Sequence, residues 1–144
     1  MIATYAIFYT TTKRGAKPVI TGQGLDIVEI ERITSAIKRG GDAFIHRVYT
    51  EAEIRQAESR NQAKYVYYAG RWAAKEALAK ALGCGIGSNC AFTDIEILSQ
   101  SNGCPRLTLS GKAKDYCENN IGKHLHVSIS HEKNYAVAVV TIEK

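Results

Sequence analysis

The spacing of apolar residues along this 144-residue chain changes from one stretch to the next. Gly22-Gln23-Gly24-Leu25-Asp26-Ile27-Val28 is a short apolar run carrying one acid, and it predicts a buried strand. Ile30, Ile33 and Ile37 then recur at helical spacing until Gly40-Gly41 supplies a stop. Thr50-Glu51-Ala52-Glu53 fits a capping box, in which the first hydroxyl and the last carboxylate each satisfy an orphan amide of a new helix. From Ala63 to Leu82 the chain is rich in Ala, Lys, Glu and Leu and closes at Gly83, which predicts a long helix.

Beyond this helix the period shortens to two. Phe92–Leu98 carries β-branched residues, and Asn102-Gly103 is a hairpin-turn signal leading into Arg106–Leu109. A short helix over 110–120 ends near Gly122. Leu125, Val127 and Ile129 then point one way, and His124, His126, Ser128 and Ser130 the other. His131–Asn134 turns the chain into an apolar strand over Tyr135–Ile142. Strand, helices and then paired strands predict an α+β domain, an antiparallel sheet packed on a long helix. Near the start, Tyr5, Ile7 and Tyr9 alternate like a strand before a polar run ending at Pro18. Residues 1–18 read as an extension with an added edge strand, and 19–144 as a single domain, since no repeat or linker divides them.

Composition narrows the class. Apolar residues at 45% and charged residues at 23% are globular proportions. The net charge is +5, and residues 31–80 hold most of it, with ten basic against six acidic groups. An acidic partner is therefore expected to dock on that middle segment. A basic nucleic-acid module competes, because Tyr65, Tyr67 and Tyr68 lie near Arg60, Lys64 and Arg71. The modest charge and the lack of a nucleic-acid motif weigh against it. No apolar run is long enough to span a membrane. The opening segment lacks the order of a secretory signal, with its basic residues after the apolar part. Cys84, Cys90, Cys104 and Cys117 form no C-x-x-C pair, which points to reduced thiols and a cytoplasmic location.

The candidate chemistry starts on the long helix. Trp72, Glu76 and Lys80 share one face, Arg71 and Lys75 lie beside it, and alanines at 73, 74, 77, 79 and 81 leave the helix narrow enough for close backbone approach. Taken alone, an acid and a lysine four apart form a surface pair worth about 0.3–0.5 kcal/mol. Asp26 is less easily dismissed, because a carboxylate within an apolar strand needs a partner. That partner is a lysine, an arginine or a helix cap on one reading. On the other, Asp26 and Glu76 converge on a hard divalent ion such as magnesium, which takes one or two carboxylates and fills its shell with water and phosphate oxygens. Spacing leaves both open. His131 closes a strand, where a histidine is more often structural than functional, and His124 with His126 lacks the further donor that a metal site needs. Gly83-Cys84-Gly85-Ile86-Gly87 follows a helix instead of preceding one, which argues against an ATP or dinucleotide fingerprint.

An ordered set of segments resembles the holo-(acyl-carrier-protein) synthases, the small bacterial 4′-phosphopantetheinyl transferases. The set runs from Gly24-Leu-Asp-Ile-Val-Glu-Ile-Glu-Arg-Ile33 through Phe44–Thr50 with Glu53, to Gly70-Arg-Trp-Ala-Ala-Lys-Glu-Ala77 with Lys80 and Leu82-Gly83. It continues with Asp94–Ile97, Asn102-Gly103 with Pro105, and His126–His131. The resemblance implies transfer of phosphopantetheine from coenzyme A to a serine of apo acyl carrier protein, releasing adenosine 3′,5′-bisphosphate, in support of fatty acid biosynthesis. It implies that Asp26 and Glu76 hold Mg²⁺ and that Lys80 meets the phosphates. Arg71, Gly83, Asn102, Pro105 and His131 would line the coenzyme A cleft, and Arg32 and Arg47 would receive the carrier protein. Proton removal from the serine would fall to a metal-bound water, Glu76 or Lys80. The family forms homotrimers with active sites between subunits. Two departures stand out: about twenty residues precede the Gly-Leu-Asp strand where the family has a few, and Gln23 occupies a place expected to be aliphatic.

Overall fold

The computed structural model describes residues 17–144, so the alternation at Tyr5, Ile7 and Tyr9 lies outside the described residues. Strand β1 (Ile20–Glu29) passes with no intervening loop into helix α1 (Ile30–Val48). Then come α2 (Glu51–Glu58), α3 (Lys64–Leu82), the hairpin β2 (Ile95–Ser99) and β3 (Pro105–Leu109), α4 (Gly111–Asn120), and the hairpin β4 (His124–His131) and β5 (Tyr135–Glu143). Three strands form one antiparallel sheet in the order β1-β5-β4, and β2 with β3 forms a second. The expected α+β class is what the chain adopts, with two sheets instead of one.

Helix α3 is the centre of the packing. Tyr68, Ala69, Ala73, Ala74, Ala77 and Leu78 are fully buried against the sheet and the other helices. Its alanines let β1 lie unusually near. A Cβ at Gly24 would overlap the carbonyl oxygen of Ala77, and one at Gly22 would overlap that of Ala81. Gly24→Ala is therefore expected to force strand and helix apart and lower stability by about 1–3 kcal/mol, read by urea unfolding.

Three local expectations change. Gly41 adopts φ 56° and ψ −146°, so Gly40-Gly41 kinks α1, which then continues to Val48. Phe92–Asp94 forms a single 3-10 turn, and the strand begins only at Ile95. The predicted buried strand is instead an edge strand covered on one face. Gly24 and Val28 face α3, whereas Leu25 and Ile27 are 57% and 61% exposed, because no described element lies over the outer face. In register, Leu25 stands beside Val139 and Ser128, and Ile27 beside Val137 and Ser130. Exposed Tyr135 extends the same face.

Candidate active site

The inner face of the sheet carries Asp26 in line with Ala138 and Ile129. The close seating of β1 on α3 brings that aspartate, with only 16% of its side chain exposed, to Lys80. Lys80 Nζ donates to Asp26 Oδ1 at 2.8 Å and to the Leu25 carbonyl at 3.0 Å. Glu76 lies one turn before Lys80. Its carboxyl is pushed above the ordinary range first by burial and then by the negative charge of Asp26, with Lys80 and Arg32 acting in opposition. Residues from β1, α3 and α1 thus share one electrostatic neighbourhood, in which Asp26 has the lysine partner of the first reading and the acid of the second lies nearby.

A carboxyl held above its ordinary range by burial and by a neighbouring acid is what a divalent cation relieves. Hard carboxylate oxygens, with space left for water and phosphate, match the donor set of magnesium. The described residues hold no cluster of three or more His, Cys, Asp or Glu that could hold a metal ion, so substrate and water would complete its shell.

Behind Glu76 the sequence concealed a second feature. Lys75 and Glu53 are both completely buried and paired at 2.7 Å. The capping box forms as expected, with Glu53 Oε2 accepting the Thr50 amide and Thr50 Oγ1 accepting the Glu53 amide. The same carboxylate also takes the Ile97 amide at 2.8 Å. Burial holds the Glu53 carboxyl above its usual range and the Lys75 ammonium below its own, despite their mutual attraction. A capping glutamate and a lysine within an alanine run are both visible in the sequence, but nothing local links residues 53 and 75.

Arg71, Pro105 and His131 meet in a separate cleft of about 430 Å³. Arg71 is buried, and its guanidinium donates from Nε to the Ile97 carbonyl at 3.1 Å and from Nη2 to Ser99 Oγ at 2.7 Å. It lies 3.8 Å from the centroid of the Tyr67 ring, and Arg60 lies 4.4 Å from the same ring. Among the described residues neither arginine has a carboxylate within ion-pair distance. A buried guanidinium without a carboxylate suits an anionic ligand. Arg60, Tyr67 and Ser99 were not expected here. Tyr67 and Tyr68 are buried, which removes two rings of the stacking platform a nucleic-acid reading requires.

Gly83 and Asn102 fall outside that cleft. Gly83 closes α3 in the left-handed region, at φ 72°, beyond Lys80. Asn102 Oδ1 accepts the Cys104 amide and holds the turn before β3, while its neighbours Ser101 and Gly103 line the cleft. Arg32 is exposed on α1 near Glu76, and Arg47 is exposed at the end of α1, 5.8 Å from the Phe44 ring centroid.

The acid cluster and the arginine cleft face different ways within one chain. Arg71 and Lys80 are nine residues apart, roughly 13 Å along the helix and about half a turn around it. Asp26 belongs to one edge strand of the three-stranded sheet, and His131 and Ile129 belong to the other.

Comparison with known proteins places this arrangement. Residues 22–140 match the model of the 4′-phosphopantetheinyl transferase superfamily. A holo-(acyl-carrier-protein) synthase of Ruminiclostridium cellulolyticum is 50% identical over 119 residues, covering 83% of this chain and 89% of that protein. The crystal structure of a holo-(acyl-carrier-protein) synthase from Bacillus anthracis, in complex with CoA (3′,5′-ADP), superposes with a TM-score of 0.73 at 37% identity, covering 87% of this chain and 97% of the other. That of Helicobacter pylori, in complex with coenzyme A, gives 0.73 at 36% identity over 85% and 99%. The likeness spans the β1 acid, the α3 acid and lysine, and both edges of the sheet, and this chain belongs to the 4′-phosphopantetheinyl transferase superfamily, among the holo-(acyl-carrier-protein) synthases.

Proposed function

We propose that this protein is a Mg²⁺-dependent holo-(acyl-carrier-protein) synthase, transferring 4′-phosphopantetheine from coenzyme A to a serine of apo acyl carrier protein in fatty acid biosynthesis. The observation that carries the reading is the convergence of Asp26, Glu76 and Lys80 from elements fifty residues apart in sequence. Mass spectrometry of apo carrier protein incubated with coenzyme A, Mg²⁺ and the enzyme tests it, a gain of one phosphopantetheine being the expected result.

Asp26 and Glu76 would hold the metal ion, which when bound would neutralise diphosphate charge and act as a Lewis acid toward the phosphate. Lys80, with a half-exposed side chain, offsets the negative charge that grows as the serine oxygen bonds to phosphorus and adenosine 3′,5′-bisphosphate departs. Arg71 and Arg60 provide the positive charge, and His131 a polar edge, of a cleft for the anionic nucleotide end of coenzyme A. The remaining work is positioning, since phosphoryl-type transfer asks little covalent chemistry of the protein.

A homotrimer brings the two half-sites together. On the outer sheet face Ile20, Leu25, Ile27 and Tyr135 stand 45–61% exposed, an apolar surface suited to a second copy of the chain. Assembly through that face and the open edge of β1 would set the acids of one chain against the arginine cleft of its neighbour. Ile27→Lys is expected to reduce the mass in sedimentation from three chains to one and to abolish transfer.

Arg32, Lys38, Arg39, Arg47 and Arg55 lie on α1 and α2 and suit an acidic carrier protein. Arg32→Glu is expected to raise the KM for the carrier by about tenfold while sparing coenzyme A binding, in steady-state assays over a salt series. A cytoplasmic location fits the four cysteines, which stand as free thiols of the kind a reducing compartment preserves.

A further inference from the structure

Lys75 immediately precedes Glu76, and its ammonium has every proton engaged. It donates to Glu53 Oε2 at 2.7 Å, to the Val48 carbonyl at 2.8 Å and to the Phe92 carbonyl at 2.9 Å. Glu53 in turn accepts the amides of Ile97 and Thr50, and Thr50 Oγ1 donates to Glu96 Oε2 at 2.7 Å. The end of α1, the start of α2, the turn before β2, β2 itself and α3 all close on this one point.

The sheet-facing side of α3 is mostly alanine and offers little to index its rotation. Trp72, against Phe44 and Phe92, is one large contact that does so. Tyr68 against Tyr49 and the hydrogen bonds of Arg71 hold the helix further from Glu76, and the buried ion pair is the anchor beside it in sequence. Successive helical residues are about 100° apart, so fixing the direction of Lys75 fixes that of Glu76. A buried ion pair is weak support for stability, and specifying a single arrangement is its better-attested use.

We propose that the Glu53–Lys75 ion pair is a positioning element for the transfer reaction, setting the rotation of α3 and thereby the placement of the Glu76 carboxylate opposite Asp26. This inference rests on the metal-holding role proposed for the two acids.

The test compares the full chain with Glu53→Gln and with Ile142→Ala, a fully buried sheet residue whose truncation costs stability without touching the pair. Binding of Mn²⁺, which suits the same oxygen ligands, is read by electron paramagnetic resonance of the free ion, alongside kcat, KM and the melting temperature. All are measured where every variant is folded. Glu53→Gln is expected to weaken Mn²⁺ binding and lower kcat by about tenfold each, with the carrier-protein KM unchanged. Ile142→Ala, at an equal or greater fall in melting temperature, is expected to keep both within about twofold. Parent-like Mn²⁺ affinity and kcat in Glu53→Gln would overturn the proposal, as would equal losses in Ile142→Ala. Should Glu53→Gln not fold, Lys75→Arg keeps the charge but enlarges its head, and it is read the same way. A parent chain that neither binds Mn²⁺ nor transfers phosphopantetheine overturns the reading beneath as well. A parent that does both, with unaffected variants, overturns this inference alone.

Discussion

Asp26→Ala and Glu76→Ala are each expected to cut the modification of apo carrier protein by about 10³-fold or more while leaving the chain folded. The size follows from what each acid does. Neither anchors the core: Asp26 is held by an exposed lysine, and burial holds Glu76 above its ordinary range, so under the proposed role both would contribute more to a bound cation than to the fold. Removing one carboxylate would halve the protein's share of the proposed ligand set and leave the diphosphate at an under-neutralised site. Quantitative mass spectrometry gives the rate, and circular dichroism shows the fold retained. Parent-like transfer by either variant would remove these residues from the reaction.

Lys75→Met carries the largest expected effect on stability, a loss of about 3–5 kcal/mol in urea unfolding. The substitution leaves the Glu53 charge buried with no counter-charge and takes the donor from the buried Val48 carbonyl and the partly buried Phe92 carbonyl. Lys64→Met is the contrasting case. Its partner Glu58 lies at a similar distance, 2.8 Å, but both side chains are 30% or more exposed, so the change is expected to stay within about 1 kcal/mol. Equal losses in the two variants would show that burial does not set the difference.

What the sequence made legible was local or repeated. The capping box at Thr50, the left-handed stop at Gly83, the turn at Asn102-Gly103 and the alternation of β4 all depend on neighbours a few residues away. The acids and Lys80 also stand out, because an acid in an apolar strand and an alanine-rich helix both call for explanation, and the ordered motifs join them. The exposure of Leu25 and Ile27 was not legible: an apolar residue is apolar whether it meets a core or an open face, and only the edge position of β1 separates the two. The Glu53–Lys75 pair escaped for a different reason. Its partners are twenty-two residues apart on different helices, and each has an adequate surface explanation when read alone. Arg60 and Ser99 reach Arg71 only through the tertiary fold, so no spacing rule could find them.

The junction where β1 becomes α1 leaves no slack: the Ile30 amide donates to the Asn134 carbonyl at 2.8 Å, tying the bend to the turn between β4 and β5. Asp26 and Arg32 consequently flank a single loop-free bend, one on each arm. Under the proposed docking, a carrier that presses on the helical arm is felt at the acid on the other. Partner choice and turnover would then be bound together mechanically, and neither could drift over evolutionary time without disturbing its companion.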